Sequence, residues 1–236
     1  MNPMLQWVRQ LSGKGSPSHE RDPAKIAYMR RLQKDLKQND YLRTPFEDLT
    51  MVVFDIETTG FSPKKGDRIL SIGAIKIKGS TVLEEETFYS FIKHDQAPSD
   101  TITELTGITL EDLIDAPSQE NVLHDFLKYI GNAPLVAHHA KHEIDFMQDL
   151  AWQLYKTSFD HRILDTSFLT ALIPELRHIN VLEECCSFFD IDTSNRHHAL
   201  QDAKMTAELW SNCIQIVKEQ GYTCLRDVYA YIARTR

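Results

Sequence analysis

The fold of this chain is decided by the stretch Met51-Val52-Val53-Phe54-Asp55-Ile56-Glu57. Its apolar residues form an almost continuous run between polar neighbours, which is typical of a strand that is buried on both faces. Two more strands are predicted over Arg68–Ile77 and Val82–Ile92, with a tight turn at Lys78-Gly79-Ser80 between them. Three consecutive strands that are joined in this way predict an antiparallel arrangement.

After these strands the sequence changes to helical periodicity. Thr109-x-x-Asp112 resembles a capping box at the start of a short helix. The predicted elements that follow are a helix over Pro117–Ile130, a strand over Pro134–Ala137, a helix over Glu143–Tyr155, a strand over Arg162–Asp165, a helix capped by Asn180 that runs to Phe189, and helices over Ala199–Glu219 and Asp227–Arg234. This order predicts an α/β fold in which a mixed sheet of about five strands, three antiparallel and then two parallel, is flanked by helices.

The chain divides by composition into three predicted parts. Residues 1–49 are predicted to be a helical, mildly basic N-terminal extension, with a short helix over Leu5–Leu11 and a longer one over Pro23–Gln38. Residues 50–220 form the predicted main domain, and residues 221–236 a helical C-terminal tail. Two interpretations of the helix over Pro23–Gln38 stay open: an amphipathic helix that packs on the main domain, or a contact for a substrate or a partner.

The composition is that of an ordinary soluble globular protein, with 42% hydrophobic and 25% charged residues among 236. No apolar run is long enough to span a membrane, and the N-terminus lacks the apolar stretch of a signal peptide, so a cytoplasmic protein without a membrane partner is expected. The net charge of −8 argues against a protein that coats nucleic acid non-specifically. Residues 1–50 nevertheless carry nine basic and six acidic side chains, a net charge of +3.

Asp55 and Glu57 form the first acidic pair of interest. They are two residues apart on a predicted strand, so both carboxylates point to the same face of the sheet. Two like charges at the end of a buried strand are costly unless a cation compensates them, and carboxylate oxygens suit hard ions such as Mg²⁺ or Mn²⁺. The alternative is a pair of solvated carboxylates, which is common for an isolated D-x-E.

A second cluster lies at the start of the last long helix, in His197-x-Ala199-x-x-Asp202. Asp202 falls in the first turns of that helix, where the amide dipoles favour a carboxylate. His197 precedes the helix, from where its imidazole can swing toward a water molecule near the carboxylates. Taken alone, a histidine before a helix is more often a surface residue.

Together these clusters resemble the DEDDh exonucleases, a family that includes the proofreading subunit of DNA polymerase III, ribonuclease T and oligoribonuclease. Asp55–Gly60 looks like the first motif of the family, D-x-E-T-T-G, and His197–Asp202 looks like its third motif, H-x-A-x-x-D. Leu135–Met147 is similar to the second motif, Leu105–Thr109 to the T-G-I-T stretch and Ile163–Thr166 to the I-D-T strand. The resemblance covers about residues 50 to 215 and implies a ribonuclease H-like fold.

The resemblance also implies a set of functional residues. The residues that it assigns to binding two divalent cations, Mg²⁺ or Mn²⁺, are Asp55, Glu57, Glu143 and Asp202. It implies that these four are catalytic together with His197, which would accept a proton from the attacking water. The residues expected to bind the substrate are Thr58, Phe61 and His138.

One position departs from the pattern of the family, which has Asp where this chain has Glu143. Asp145 is the other candidate for this role, but it falls with Gln148 and Asp149 on a polar helical stripe. Glu143 lies above Met147 on the apolar side, which faces the sheet. Glu143 is therefore the better match, and it has one more methylene than the usual residue.

The expected function is a 3′–5′ exonuclease that acts on single-stranded DNA or RNA ends and releases nucleoside 5′-monophosphates. Two alternatives stay open. One is a nucleic-acid-binding or regulatory module that kept the fold and lost most of the chemistry, and the other is a proofreading subunit that joins a polymerase through residues 1–49. A zinc site formed by the histidines is less favoured, because no H-E-x-x-H and no cysteine pair are present.

Overall fold

The computed structural model describes residues 22–235, so the short helix predicted over Leu5–Leu11 lies outside the described residues. A five-stranded mixed sheet forms the centre, with the strand order β3-β2-β1-β4-β5. The strands are β1 (Thr50–Thr58), β2 (Ile69–Lys78), β3 (Thr81–Phe91), β4 (Leu135–Ala137) and β5 (Ile163–Asp165). β1 to β3 are antiparallel, and β4 and β5 run parallel to β1, which confirms the predicted sheet.

The helices of the described residues cover both faces of this sheet. They are α1 (Pro23–Gln38), α2 (Asp100–Thr106), α3 (Leu110–Ile114), α4 (Gln119–Ile130), α5 (Lys141–Tyr155), α6 (Ser167–Thr170), α7 (Leu182–Ser187), α8 (Ala199–Glu219) and α9 (Leu225–Thr235). Side chains cap two of these helices, and the second cap confirms the prediction. The side chain of Asp22 accepts a hydrogen bond from the backbone N–H of Ala24 at the start of α1, and Thr109 and Asp112 form a capping box at α3.

Some helix boundaries differ from the predicted ones. α4 begins after Ser118, whose side chain accepts a hydrogen bond from a backbone N–H of the first turn. Asn180 was expected to cap α7, but α7 begins at Leu182 without a side-chain cap. The backbone carbonyl of Asn180 instead accepts a hydrogen bond from His138, so this residue connects the segment before α7 to β4.

β1 alternates between the two faces of the sheet. Met51 and Val53 pack into the core that α8 covers, whereas Val52 and Phe54 pack into the core beneath α4 and α5. All four side chains are fully buried, as expected for a strand with helices on both sides. The prediction of a two-sided buried strand is therefore confirmed.

The N-terminal helix α1 is part of the second core. Met29 and Leu32 are buried there with the apolar face of α4, and Lys25 donates a hydrogen bond to Asn121. Lys34 and Lys37 lie on the exposed side of the helix. This packing agrees with the interpretation of α1 as an amphipathic helix on the main domain.

The segments at both borders of the predicted main domain also contribute to its core. Phe46 precedes β1 and is fully buried, and Leu225 and Val228 of α9 are buried in the same core as α8. Pro45 and Cys224 form an isolated antiparallel bridge. The division of the chain at residues 49 and 221 stays a prediction.

Gly73 on β2 determines how closely α8 approaches the sheet. It lies opposite Asp55 in the β1–β2 register. A Cβ atom at this position would lie 2.1 Å from the backbone nitrogen of Leu200, in the first turn of α8. Because glycine has no Cβ, the start of α8 rests against the sheet beside the strand that carries Asp55 and Glu57. None of the helices within residues 22–235 combines the length and apolarity needed to cross a membrane.

Candidate active site

Three carboxylates from two elements converge at the end of β1. One oxygen each of Asp55, Glu57 and Asp202 lies within 4.8 Å of the other two. The period of two along β1 places the first two on one face, and the close approach of α8 at Gly73 brings the third to them. The structure thus brings together three of the four residues that were predicted to bind metal.

The electrostatics of this cluster are unfavourable without a cation. Burial, and then repulsion by Glu143, Glu57 and Asp202, raise the pKa of Asp55 well above its usual value. Burial and the charge of Asp202 raise the pKa of Glu57 to about 7. Burial also raises the pKa of Asp202. The carboxylates therefore resist simultaneous ionisation at neutral pH unless positive charge is added.

Arg196 supplies part of that positive charge. Its Nη1 lies 3.1 Å from Oδ2 of Asp202, and its Nε donates a hydrogen bond of 2.9 Å to Oε1 of Glu183 on α7. The guanidinium opposes the burial that raises the pKa of Asp202. Sequence reasoning missed this residue, because the pairing joins a loop residue to two separate helices and leaves no short-range pattern.

Two buried oxygens of the site have no hydrogen-bond partner among the described residues. They are Oδ1 of Asp202 and Oε2 of Glu143. A buried carboxylate oxygen without a donor is costly, and a cation is the natural partner for it. Hard, oxygen-only ligands are those that divalent ions such as Mg²⁺ prefer. The residues present therefore fit a divalent cation.

Glu143 lies on the first turn of α5 with only 3% of its surface exposed. Burial, and then the charges of Asp165 and Glu57, raise its pKa to about 8. It is not part of the three-carboxylate set within 4.8 Å, although its charge acts on Asp55. Asp145 instead is half-exposed and forms an ion pair with Lys141, so it is the less suitable candidate.

Asp165 determines where α5 begins. At the end of β5, its Oδ2 accepts a hydrogen bond of 2.7 Å from the backbone N–H of Ala140, and its Oδ1 accepts one of 2.8 Å from Ser167. His139 adopts a positive φ of 56° before the helix, which then starts at Lys141 rather than at the predicted Glu143. This contact connects β5 to the element that carries Glu143.

His197 lies between Arg196 and the start of α8. It has a positive φ of 64°, and its backbone N–H donates a hydrogen bond of 3.3 Å to Oδ2 of Asp202. Its imidazole forms no hydrogen bond within the described part of the chain. The ring of His198 faces elsewhere and stacks on Tyr89 of β3, with 4.6 Å between ring centroids. The two adjacent histidines therefore have different surroundings.

Thr58, His142 and Phe61 form a connected group beside the carboxylates. Oγ1 of Thr58 donates a hydrogen bond of 2.7 Å to the carbonyl of Gly60, so at 3.3 Å it can accept one from Nε2 of His142. The ring of His142 lies 5.8 Å from that of Phe61, which is 89% exposed. An aromatic ring in this position is available for contact with a ligand.

His138 has both ring nitrogens engaged. Its Nε2 donates a hydrogen bond of 2.8 Å to the carbonyl of Asn180, and its Nδ1 lies 2.7 Å from Oγ1 of Thr166. Burial lowers the pKa of His138, which favours the neutral ring that this arrangement needs. Its expected contact with substrate stays a prediction, and in this structure the ring connects β4 to the segment before α7.

The chain is similar to a known protein family and to one part of larger proteins. The RNase_T family model, which describes an exonuclease, matches residues 52–210. The PolC-type DNA polymerase III of Bacillus subtilis (strain 168) is 36% identical over 177 residues, which cover 74% of this chain and 12% of that protein. The PolC-type polymerase of Thermotoga maritima is 32% identical over 183 residues, which cover 78% of this chain and 13% of that protein. The chain thus spans about an eighth of the length of these curated relatives.

Solved structures show the same fold at low sequence identity. The nuclease domain of 3′hExo, a DEDDh family member bound to rAMP, aligns with a TM-score of 0.61 and 20% identity, covering 70% of this chain and 92% of that one. Exonuclease X in complex with 5′ overhanging duplex DNA aligns with a TM-score of 0.57 and 18% identity, covering 75% of this chain and 98% of that one. These alignments support the ribonuclease H-like fold. Because the family model covers more than half of its length, the chain belongs to the DnaQ-like family of 3′–5′ exonucleases.

Proposed function

We propose that this chain hydrolyses the 3′-terminal phosphodiester of single-stranded DNA or RNA and releases nucleoside 5′-monophosphates. The observation that carries the proposal is the convergence of Asp55, Glu57 and Asp202 within 4.8 Å, in a cluster whose burial and mutual repulsion favour bound cations. Family membership supports the reaction type, and the exposed ring of Phe61 beside the cluster supports a nucleic-acid end as the ligand.

Two divalent cations, Mg²⁺ or Mn²⁺, complete the proposed centre. Asp55, Glu57 and Asp202 would hold these cations, and Glu143 would contribute directly or through a water molecule. When bound, such cations activate water and offset the charge that develops on the phosphate oxygens. The unpaired oxygens of Asp202 and Glu143 are the donor atoms that this role would use.

His197 is the proposed general base. It would take a proton from the water that attacks the terminal phosphorus, while the bond from phosphorus to the 3′-oxygen of the preceding nucleotide breaks. The free imidazole is available for this step, and the hydrogen bond from its backbone N–H to Asp202 holds the residue beside the carboxylates. Thr58, Phe61 and His138 are proposed to position the terminal nucleotide.

A digestion assay with 5′-labelled oligonucleotides tests this proposal. Matched single-stranded DNA and RNA, incubated with the full chain and Mg²⁺ or Mn²⁺, should shorten one nucleotide at a time from the 3′ end. Chelation by EDTA should stop the reaction, and the comparison of rates identifies the preferred sugar. Folded protein that releases no mononucleotide from either substrate would instead support the alternative of a binding module without catalysis.

We also propose a polymerase as a protein partner through residues 1–49. The support is the similarity of this chain to part of PolC-type DNA polymerases III, together with the exposed basic side of α1. Met29 and Leu32 are core residues, so deletion of α1 would confound the test. The charge-reversing pair Lys34→Glu and Lys37→Glu avoids this problem. Co-purification with a polymerase should be lost in this variant while its thermal stability is kept, and unchanged co-purification would exclude this surface.

A further inference from the structure

A surface groove extends from the mouth of the site along the outer side of α5. Its volume is about 540 Å³, and it lies between α5 and the loop that follows β1. The side chains that define it are Phe61, Lys64, Lys65, Lys141, Gln148 and Trp152. The loop contributes the first three, and the others recur along one exposed side of α5. The proposed catalytic residues themselves do not line the groove.

Phe61 places one end of the groove next to the residues that flank the active site. Phe61 lines it and also contacts the ring of His142, the residue beside Glu143. From Lys141 to Trp152 the helix rises about 16 Å, at about 1.5 Å per residue. A stacked single strand rises about 3.4 Å per nucleotide, so about five nucleotides span this length of the helix.

The loop side of the groove is held in place by Asp67. The carboxylate accepts a hydrogen bond of 2.9 Å from the backbone N–H of Ser62 and one of 3.3 Å from Oγ1 of Thr59. A short 3-10 turn over Pro63–Lys65 then ends at Gly66, with a φ of 103°. Phe61 is therefore exposed on a braced loop, as expected for a preformed contact surface.

Aromatic rings lie at both ends of the groove. Trp152 is 56% exposed, and Nζ of Lys156 lies 5.9 Å from the centre of its ring. Exposed tryptophan and phenylalanine rings are platforms on which bases stack without regard to sequence. The ammonium group beside Trp152 adds a positive charge where a phosphate would pass.

The charges of the groove favour an anionic occupant. Lys64 and Lys65 are exposed and form no ion pair within residues 22–235, so their charges are not compensated. Lys141 is paired with Asp145, and Asp149 also lines the groove. Three lysines against two aspartates still give a net positive lining, on a chain whose net charge is −8. This local excess of positive charge is complementary to a phosphate backbone.

We propose that this groove binds the single-stranded segment immediately upstream of the 3′-terminal nucleotide. Trp152 stacks with a base several nucleotides from the end, and Lys64 and Lys65 contact backbone phosphates. The proposal rests on the proposed exonuclease function and adds a substrate class to it: strands of about five or more nucleotides, without base preference. Short oligonucleotides fill the terminal site but do not reach Trp152.

The length dependence of cleavage tests the role of Trp152. The measurement is kcat/KM for a dinucleotide and for a 12-mer, in matched DNA and RNA series, with the parent, Trp152→Ala and the control Phe188→Ala. Phe188 is a similarly exposed aromatic residue outside the groove. Trp152→Ala should lower kcat/KM for the 12-mer relative to kcat/KM for the dinucleotide about tenfold, because a base–aromatic stacking contact is lost. Phe188→Ala should keep the ratio of the parent.

The salt dependence of binding tests the lysines independently. Anisotropy of a labelled 12-mer, with Ca²⁺ in place of Mg²⁺ to slow cleavage, gives the slope of log K against log salt. Removal of two phosphate contacts by Lys64→Ala with Lys65→Ala should reduce the slope by about 1.4, since each single-strand contact contributes about 0.7. Lys78→Ala, an exposed lysine at the end of β2, is the control.

The two proposals fail in different ways. If the parent cleaves neither substrate, the exonuclease function is wrong, and the groove proposal fails with it unless the binding slope still depends on Lys64 and Lys65. If the parent cleaves both and Trp152→Ala keeps the same length ratio, the groove proposal is wrong and the exonuclease function stands. If Lys78→Ala changes the slope of log K against log salt as much as Lys64→Ala with Lys65→Ala does, the groove proposal is also wrong.

Discussion

The proposed active site has two sides, which we call the β1–α8 wall and the α5 wall, and they are built in different ways. In the wall formed by β1 and α8, Asp55, Glu57 and Asp202 are fixed by backbone packing, because α8 touches β2 at Gly73 without an intervening side chain. In the α5 wall, Glu143 reaches the site from a helix that Asp165 positions through a hydrogen bond to its start. The first wall retains the motif residues of the family, and the second departs from them at this carboxylate.

This difference indicates where the chain tolerates change. A rigid wall fixes the three carboxylates at distances that a shared cation requires, so it has little room for substitution. The α5 wall ends in a longer and buried glutamate side chain, whose additional methylene can absorb a shift of the helix. We therefore expect a displacement of the carboxylates in the β1–α8 wall to cost more activity than a change in the length of the Glu143 side chain.

Among the variants that keep all the carboxylates, the largest effect is expected for His197→Ala. Loss of a general base lowers kcat by about 10² to 10⁴-fold. Thermal stability should change little, because the imidazole forms no hydrogen bond within the described chain. His198→Ala is the matched control, since that ring stacks on Tyr89 instead. Equal losses in both variants, measured as kcat on a labelled oligonucleotide, would remove His197 from its proposed role.

Gly73→Ala should break the β1–α8 wall without removing any functional group. The new methyl carbon would lie only 2.1 Å from the backbone nitrogen of Leu200, so α8 must move away from β1. Misplacement of Asp202 by about 1 Å costs about 10²-fold in rate, and overpacking costs about 1–3 kcal/mol of stability. Activity and the free energy of unfolding, measured by denaturant titration, should both fall. Unchanged values would show that the contact at Gly73 does not fix the wall.

The α5 wall is tested by Glu143→Asp and Glu143→Gln. Glu143→Asp keeps the charge and shortens the side chain, so we expect kcat to change by less than about tenfold. Glu143→Gln removes the charge and should lower kcat further, by about 10²-fold if the carboxylate acts on a cation. A large gain with Glu143→Asp would mean that the natural residue damps catalysis, as in the alternative of a weakened enzyme.

The effect of bound cations on the whole cluster can be measured through the pH dependence of protein stability. The folded pKa of Glu57 is raised from 4.5 to about 7, and that of Glu143 from 4.5 to about 8. The folded state therefore binds more protons than the unfolded state between these values, and stability falls as the pH rises from about 4.5 to about 8. In EDTA the melting temperature should decrease across this window. With Mg²⁺ the decrease should be smaller at pH 8, and parallel curves would contradict the cation site.

Much of this architecture was predictable because it is encoded locally. The apolar run at β1 predicted a strand buried on both faces, and the spacing of Asp55 and Glu57 predicted a shared face. The capping box at Thr109 is likewise a short-range signal. By contrast, α2 was missed, since its seven residues show no clear apolar face and it is defined by a cap at Ser99 and a positive φ of 71° at Gly107.

The parts of the site that the sequence did not predict depend on tertiary contacts. Arg196 acquires its role only when α7 and α8 bring Glu183 and Asp202 to the same guanidinium. The role of Asp165 depends on the proximity of β5 to the start of α5. The groove at Trp152 exists only because a distant loop folds beside α5. No spacing in the sequence encodes these pairings.

We propose that Asp55, Glu57 and Asp202 form a divalent-cation centre that supports hydrolysis. The most direct test is a Mn²⁺ titration of the parent and of Asp202→Ala, followed by electron spin resonance of the free ion, with cleavage of a labelled oligonucleotide measured on the same samples. The parent should show saturable Mn²⁺ binding and cleavage, and the folded variant should lose both. Equal Mn²⁺ binding and equal cleavage by the two proteins would contradict this proposal.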